Sequence, residues 1–439
     1  METHRLLFSD QPWLTNIEQK ELCDGLVHFG LIKFDNKRSL PLKSGGKTDV
    51  YINLRDARND PKAISFITRF FSNPLRRLNV DRFVEVPDSV SCFAAPLSIE
   101  TGIPYLTIRE QSKEGRVSKA NVIGSVRYGE RVCILDDVIT DGASKVIPYQ
   151  ECRKMGLRDI PLVVLVDRQQ GWKKKFGELG IGMPVWPGMT LHDVRKHLIV
   201  SGVMERCSKD IEDKNPIIVA LDGKDWEEIL PIVDQLRTTG CIFKVNDLLF
   251  DEGFKNLIPD LSVYGRVMAD LKGHDIPNTL KNISERLKKN PPWAVTVHGT
   301  GGKEMIQAVV ETLKGTGTKV LVVTVLTSID EATSEEIYSR APIVEVRILA
   351  DIANRAGADG LVCSPQEAKE LREKYPNMTL VVPGIRSEGV DQGDQKRIGT
   401  PQGAIASGAN HLVMGRQILG APDPIAEVQR LLKEELKVI

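Results

Sequence analysis

From residue 217 onward the chain alternates short apolar runs with amphipathic stretches. The runs are IIVALD (217 to 222), CIFKVN (241 to 246), VMADLK (267 to 272), AVTVHG (294 to 299), KVLVVTVL (319 to 326), DGLVCS (359 to 364), TLVVPG (379 to 384) and HLVMG (411 to 415). Most are separated by segments long enough for a helix, such as DWEEILPIVDQLRTT and SPQEAKELREKYP. Continuous apolar runs read as parallel strands covered on both faces, and eight strand–helix units match a closed (β/α)8 TIM barrel, with an open doubly wound sheet as the structural alternative. In a barrel, side chains at the C-terminal strand ends converge on one mouth. Asp222, Lys244, Asp270, Lys272, His298, Arg386 and Arg416 all stand at or just beyond such ends.

The first 200 residues are organised differently. DRFVEVP, IPYLTIRE, RVCILDDVIT and IPLVVLVDRQ predict the strands of a smaller open α/β domain, entered through a helix near NIEQKELCDGLVHFG. FDNKRSLPLKSGGKTDVYINL, with its alternating end and Gly-Gly turn, predicts a hood over one end of that sheet. The polar stretch ERCSKDIEDKNP interrupts the hydrophobic pattern, giving domains at 1–204 and 217–439 with a linker at 205–216. A chain of 439 residues is long enough for two cores of about 200 residues each.

Charge narrows the picture by exclusion. With 59 basic and 59 acidic residues the net charge is zero, so no global field steers the chain to nucleic acid or an anionic membrane, and any anion site must be local. The seven cysteines (23, 92, 133, 152, 207, 241 and 363) lack close metal-ligand spacing, and four lie in apolar runs. They read as reduced core residues of a cytoplasmic protein. No apolar run approaches the ~20 residues that a membrane helix needs.

The stretch ADLKGHDIPNT places Asp270, Lys272 and Asp275 within six positions after a strand-like run. Strand alternation would put Asp270 and Lys272 on one face. Lys244, one strand earlier, can approach them, and the turn at Gly273 and His274 lets Asp275 return to the mouth or reach a neighbouring subunit. Carboxylates flanking a lysine keep it charged, and a charged lysine can donate a proton to carbon. A substrate carboxylate pressed against Asp270 would relieve repulsion by leaving as carbon dioxide, with Lys272 protonating the carbanion. Near the last two strands, VPGIRSEGVDQGDQKRIGTP and HLVMGRQI combine glycines with Arg416, a fork of donors suited to phosphate.

These residues resemble the orotidine 5'-monophosphate decarboxylase family. DLKGHDIPNT is similar to its Asp-x-Lys-x-x-Asp signature followed by Ile-Pro-Asn-Thr, and FKVN, LTS, PGIR, GDQKRI-x-TP and GRQI occur in the family's order. The resemblance spans about residues 214 to 439. It implies Lys244, Asp270, Lys272 and Asp275 as the charged array, with Asp275 given by the partner subunit of a homodimer. It further implies Asp222 on the ribose, Thr279 and Ser328 as ligand contacts, and Gln395 and Arg416 on the phosphate. It implies decarboxylation without a cofactor. Asn246 and Gly273 depart from the family's pattern, but neither removes a charge.

In the first domain VCILDDVITDGAS is an apolar strand, an acidic pair and a small-residue turn before a helix. It resembles the type I phosphoribosyltransferase signature, in which the acids bind ribose hydroxyls and the turn cradles a 5'-phosphate. LPLKSGGKTDVYINLR and VLVDRQQG narrow the resemblance to orotate phosphoribosyltransferase over about residues 14 to 200. It implies a site of Lys43, Arg109, Lys113, Asp136, Asp137, Thr140, Ser144 and Arg168, with magnesium accompanying phosphoribosyl diphosphate if the domain is active. A transferase followed by a decarboxylase is the domain order of bifunctional uridine monophosphate synthases.

Three departures concern the phosphate-rich ligand. Asp141 in TDGAS puts a carboxylate where a phosphate is expected, REQSKEGR has Glu110 and Gly115 where the family has lysine and histidine, and VPDSVS lacks the family's glycine turn. Losing a donor to a developing charge commonly costs about 3 kcal/mol. The expectation is a retained fold with weak or absent transferase activity. The alternatives are a fully bifunctional enzyme and a non-catalytic nucleotide-binding scaffold. Sugar-acid decarboxylation with magnesium would use a similar acid–lysine arrangement, but the GDQKRI and DIPNT contexts argue against it.

Overall fold

The computed structural model describes residues 12–35, 40–41, 47–108, 122–204, 206–207, 209–389 and 397–438. The chain divides into two compact units, Met1–Met204 and Glu205–Ile439.

In the first unit β1 (Ile32–Phe34), β2 (Leu40–Pro41), β3 (Lys47–Thr48) and β4 (Val50–Ile52) form two small antiparallel pairs, β1 with β4 and β2 with β3. The main sheet contains β5 (Arg82–Glu85), β6 (Tyr105–Ile108), β7 (Val122–Ile123), β8 (Val132–Ile139), β9 (Leu162–Asp167) and β10 (Val185–Thr190), in the order β10-β9-β8-β5-β6-β7. All pairings are parallel except β6 with β7. Alternate residues of β8 and β9 face different cores: Cys133, Leu135, Val163 and Leu165 join one, and Ile134, Leu162 and Val164 the other. Burial on both faces explains why these strands read as unbroken apolar runs. The helix expected near residue 16 spans Asn16–His28 and starts with a capping box between Thr15 and Glu18. The edge strand β10 escaped sequence reading because Pro187 and Gly188 punctuate VWPGMT. Proline is tolerated at a sheet edge, where its missing N–H breaks no inner ladder.

In the second unit the eight runs become β11 (Ile217–Ala220), β12 (Ile242–Val245), β13 (Arg266–Gly273), β14 (Ala294–His298), β15 (Lys319–Val323), β16 (Gly360–Val362), β17 (Thr379–Val382) and β18 (His411–Met414). They close a parallel barrel, with β11 bonded to both β12 and β18. Ile218, Ile242, Met268, Ala294, Leu321, Val381 and Val413 fill the interior as one cluster. The segment read as a linker contains the helix Lys209–Lys214, and Arg206 joins Glu212 to the backbone of Ser262. Its polar composition thus marks a solvated helix face.

Candidate functional site

Ile242 and Lys244 are two residues apart on β12, as are Met268 and Asp270 on β13. The first of each pair belongs to the barrel core, so the second projects inward one layer higher. The result is a cavity of about 470 Å3, floored by Ala220, Met268, Val362 and Val413 and carrying Asp222, Lys244, Asp270, Lys272, Ser328 and Arg416 on its walls.

The charges form a chain. Lys244 Nζ donates to both oxygens of Asp222 at 2.8 and 2.7 Å and lies 3.2 Å from Asp270 Oδ2. Lys272 Nζ donates to that same Asp270 oxygen at 2.6 Å. Burial alone would lower the Lys244 pKa, but Asp270 and Asp222 outweigh it and hold the ammonium above its ordinary value. For Asp270 burial pushes upward, and Lys244 and Lys272 prevail, holding the carboxyl below its ordinary value. The two lysines differ in access: the Lys244 side chain is 8% exposed, the Lys272 side chain 36%. Lys272 is therefore the more accessible of the two amines.

Asp270 and Lys272 meet, but plain strand alternation does not bring them together. The register of β13 against β14 shifts between Ala269 and Gly273, and Lys272 has φ +46°, the left-handed region that costs a non-glycine residue about 1–3 kcal/mol. Two side chains without a role in the sequence reading hold the distortion. Asn246 Nδ2 donates to the Asp270 carbonyl at 2.6 Å, and Thr296 Oγ1 lies between Asp270 and the Lys272 backbone. A lone polar residue at an inward position of AVTVH was the available signal for Thr296.

Asp275 is exposed, with Oδ1 accepting from the Ile276 N–H at 2.7 Å, and Thr279 is half-buried in the first turn of the helix Pro277–Leu287. Neither is among the described residues lining the cavity. Gln395 lies outside the described residues. Arg416 opens the short helix Arg416–Leu419 and Ser328 follows β15, both at the cavity wall. Arg397 is buried and donates to the carbonyls of Val325 and Leu326, both at 2.9 Å, and to Glu367. It thereby secures the loop that carries Ser328.

Comparison with known proteins adds an independent result. The family described as orotidine 5'-phosphate decarboxylase / HUMPS matches residues 215–431. The orotidine 5'-phosphate decarboxylase of Neisseria meningitidis serogroup A is 40% identical over 233 residues, covering 51% of this chain and 95% of that protein. The chain belongs to this decarboxylase family. The Marinomonas decarboxylase is 41% identical over 219 residues, covering 48% of this chain and 93% of its own length. A crystal structure of the Lactobacillus acidophilus decarboxylase aligns with 34% identity and a TM-score of 0.44, covering 50% of this chain and 98% of that one. The residues shared with the family all lie in the unit that carries the charged array.

The first unit has its own cavity, of about 910 Å3, lined by Asp137, Thr140, Ser144, Lys145 and Arg168 among others. Gly142, at φ +77°, makes the turn into the helix Ala143–Lys154. The two acids of the expected pair are not equivalent. Asp137 lines the cavity, whereas Asp136 is fully buried and ion-paired with Lys145, whose Nζ also donates to Ser144 Oγ at 2.7 Å. Burial and the neighbouring Asp136 push the Asp137 pKa up to about 7. Asp141 Oδ1 accepts from the Ala143 N–H at 3.1 Å, taking one of the helix-start amides that an anion would use. Asp88 stands at φ +64° where glycine would be unstrained. Lys43, Arg109 and Lys113 lie outside the described residues.

All seven cysteines are among the described residues and none forms a disulfide; five are buried, and Cys92 and Cys207 are half-buried. Among the described residues no His/Cys/Asp/Glu group is arranged to hold a metal ion, and no helix is long and apolar enough to cross a membrane.

Proposed function

We propose that the second unit converts orotidine 5'-monophosphate to uridine 5'-monophosphate and carbon dioxide. The observation that carries this reading is the alternating chain Asp222, Lys244, Asp270, Lys272, ending on an accessible ammonium inside the cavity. The substrate carboxylate sits against Asp270, which its neighbours keep ionised, so the ground state is repulsive. The bond from ring carbon to carboxylate breaks, carbon dioxide departs, and the electron pair stays on the ring carbon beside the Lys272 ammonium. Lys272 Nζ then gives its proton to that carbon and is reprotonated from water. Arg416 and Gln395 hold the phosphate, Asp222 the ribose, and Ser328 and Thr279 complete the contacts. Asp275 enters the site of a partner subunit in a homodimer. The scheme assigns no step to a metal or an organic cofactor.

The first unit retains a type I phosphoribosyltransferase-like fold with weak or no transferase activity. Two contacts support this reading: Asp141 occupies a helix-start amide, and Lys145 at the cavity wall is paired with the fully buried Asp136.

One experiment tests both halves. The intact chain is given orotidylate, and separately orotate with phosphoribosyl diphosphate and magnesium. Orotidylate should be consumed at a rate unchanged by thorough chelation, orotate should not, and Lys272→Ala should abolish turnover. Near-normal kcat in Lys272→Ala would sink the proton-donor assignment, and uridylate formed from orotate would establish a working two-step enzyme.

A further inference from the structure

Between its pairings with β14, β13 advances from Ala269 to Gly273 while β14 advances only from Val295 to Val297. Four steps on one strand thus face two on the other, and Asp270, Leu271 and Lys272 lie opposite a single residue of β14. Thr296 stands opposite this bulge, fully buried. Its hydroxyl has one proton and must be shared in a defined sense. The Lys272 backbone N–H can only donate, and it does so to Thr296 Oγ1 at 2.9 Å. The hydroxyl proton is then directed to Asp270 Oδ1, 2.8 Å away. With Oδ1 held there, the other oxygen of Asp270 is the one turned to Lys272 at 2.6 Å and Lys244 at 3.2 Å.

We propose that Thr296 is a positioning residue for decarboxylation, its hydroxyl holding both the left-handed backbone at Lys272 and the rotation of the Asp270 carboxylate. The inference rests on the decarboxylase reading above. Without the hydroxyl the Lys272 N–H loses its acceptor, and the ladder offers no replacement because the register is broken there. A strained backbone persists only where its surroundings over-determine it, so the bulge would relax toward other conformations. Displacement of a proton donor by about 1 Å can cost on the order of 100-fold in rate.

The test compares Thr296→Val, which keeps the branched shape, with Thr296→Ser, which keeps the hydroxyl. In Thr296→Val kcat should fall about 10- to 100-fold with KM changed by less than about threefold, because reaction geometry and not nucleotide contact is lost. Thr296→Ser should restore most of kcat. Amide hydrogen exchange over residues 270–273, followed by mass spectrometry, should quicken in Thr296→Val and stay near the parent rate in Thr296→Ser. If Thr296→Val folds poorly, Thr296→Ala carries the same expectations. Parent kcat in the valine variant, equal loss in valine and serine variants, or unchanged exchange would each overturn the proposal. An inactive parent protein would instead overturn the decarboxylase reading, and the exchange measurement would still judge the positioning role.

Discussion

Lys244 is the residue on which the electrostatics of the barrel mouth turn, since it touches both Asp222 and Asp270. Asp270, with its pKa lowered from 3.8, contributes stability above that value and loses it as pH falls through the lower folded value. Lys244, with its pKa raised from 10.5, contributes fully below 10.5 and loses that contribution as pH rises through the higher folded value. The array's contribution is therefore flat across neutral pH. Lys244→Met removes one of the two cations beside Asp270, so stability should fall by on the order of 3 kcal/mol, the cost of breaking a buried pair from one side. The acid limb of a Tm-against-pH curve should also move to higher pH. An unmoved acid limb would show that Lys272 alone keeps Asp270 ionised. Lys244, Asp270 and Lys272 were legible as a group from their types and spacing, but the pairing of Asp222 with Lys244 and the unequal exposure of the two lysines were not, because both depend on which strands and loops close over each side chain.

At the scale of elements, continuous apolar runs located the barrel strands because each is buried on both faces and is apolar apart from the positions near the mouth and a few at strand starts. The same criterion missed β10, where Pro187 and Gly188 resemble a turn but occupy an edge. It also predicted the right neighbours for the wrong local reason at β13, where alternation gives way to a bulge secured by Asn246 and Thr296. Close approach between strands explains a small residue elsewhere in the barrel. At Gly360 a Cβ would be driven against the Thr379 carbonyl oxygen and would lie 2.8 Å from the Thr379 side chain and 2.9 Å from Leu321. Gly360→Ala should therefore lower stability by about 1–3 kcal/mol through overpacking. An unchanged denaturation midpoint would mean that β16 and β17 separate at little cost.

For the whole molecule, the proposed sharing of sites between subunits is open to direct measurement. Asp275 is exposed and is not among the described residues that line the cavity of its own chain, and the homodimer proposed above would take it to a partner's site. Mixed dimers made from Asp275→Ala and Lys272→Ala chains should regain about one half of parental activity per heterodimer, or about one quarter over a random mixture, since one of two sites in a heterodimer would be intact. Complete silence in the mixture would confine each site to one chain. The identities and order of the chemical groups were determined by sequence alone: apolar runs must be buried, and the charged residues at their ends must gather wherever parallel strands terminate together. Tertiary structure decided which groups actually face one another. Lys145 reaching Asp136, Asp141 turning onto the Ala143 amide and Thr296 meeting the Lys272 backbone all join positions through local backbone geometry or strand register. A hydrogen bond is lost over a displacement of about 1 Å, whereas hydrophobic periodicity locates a residue only to a face and a strand end.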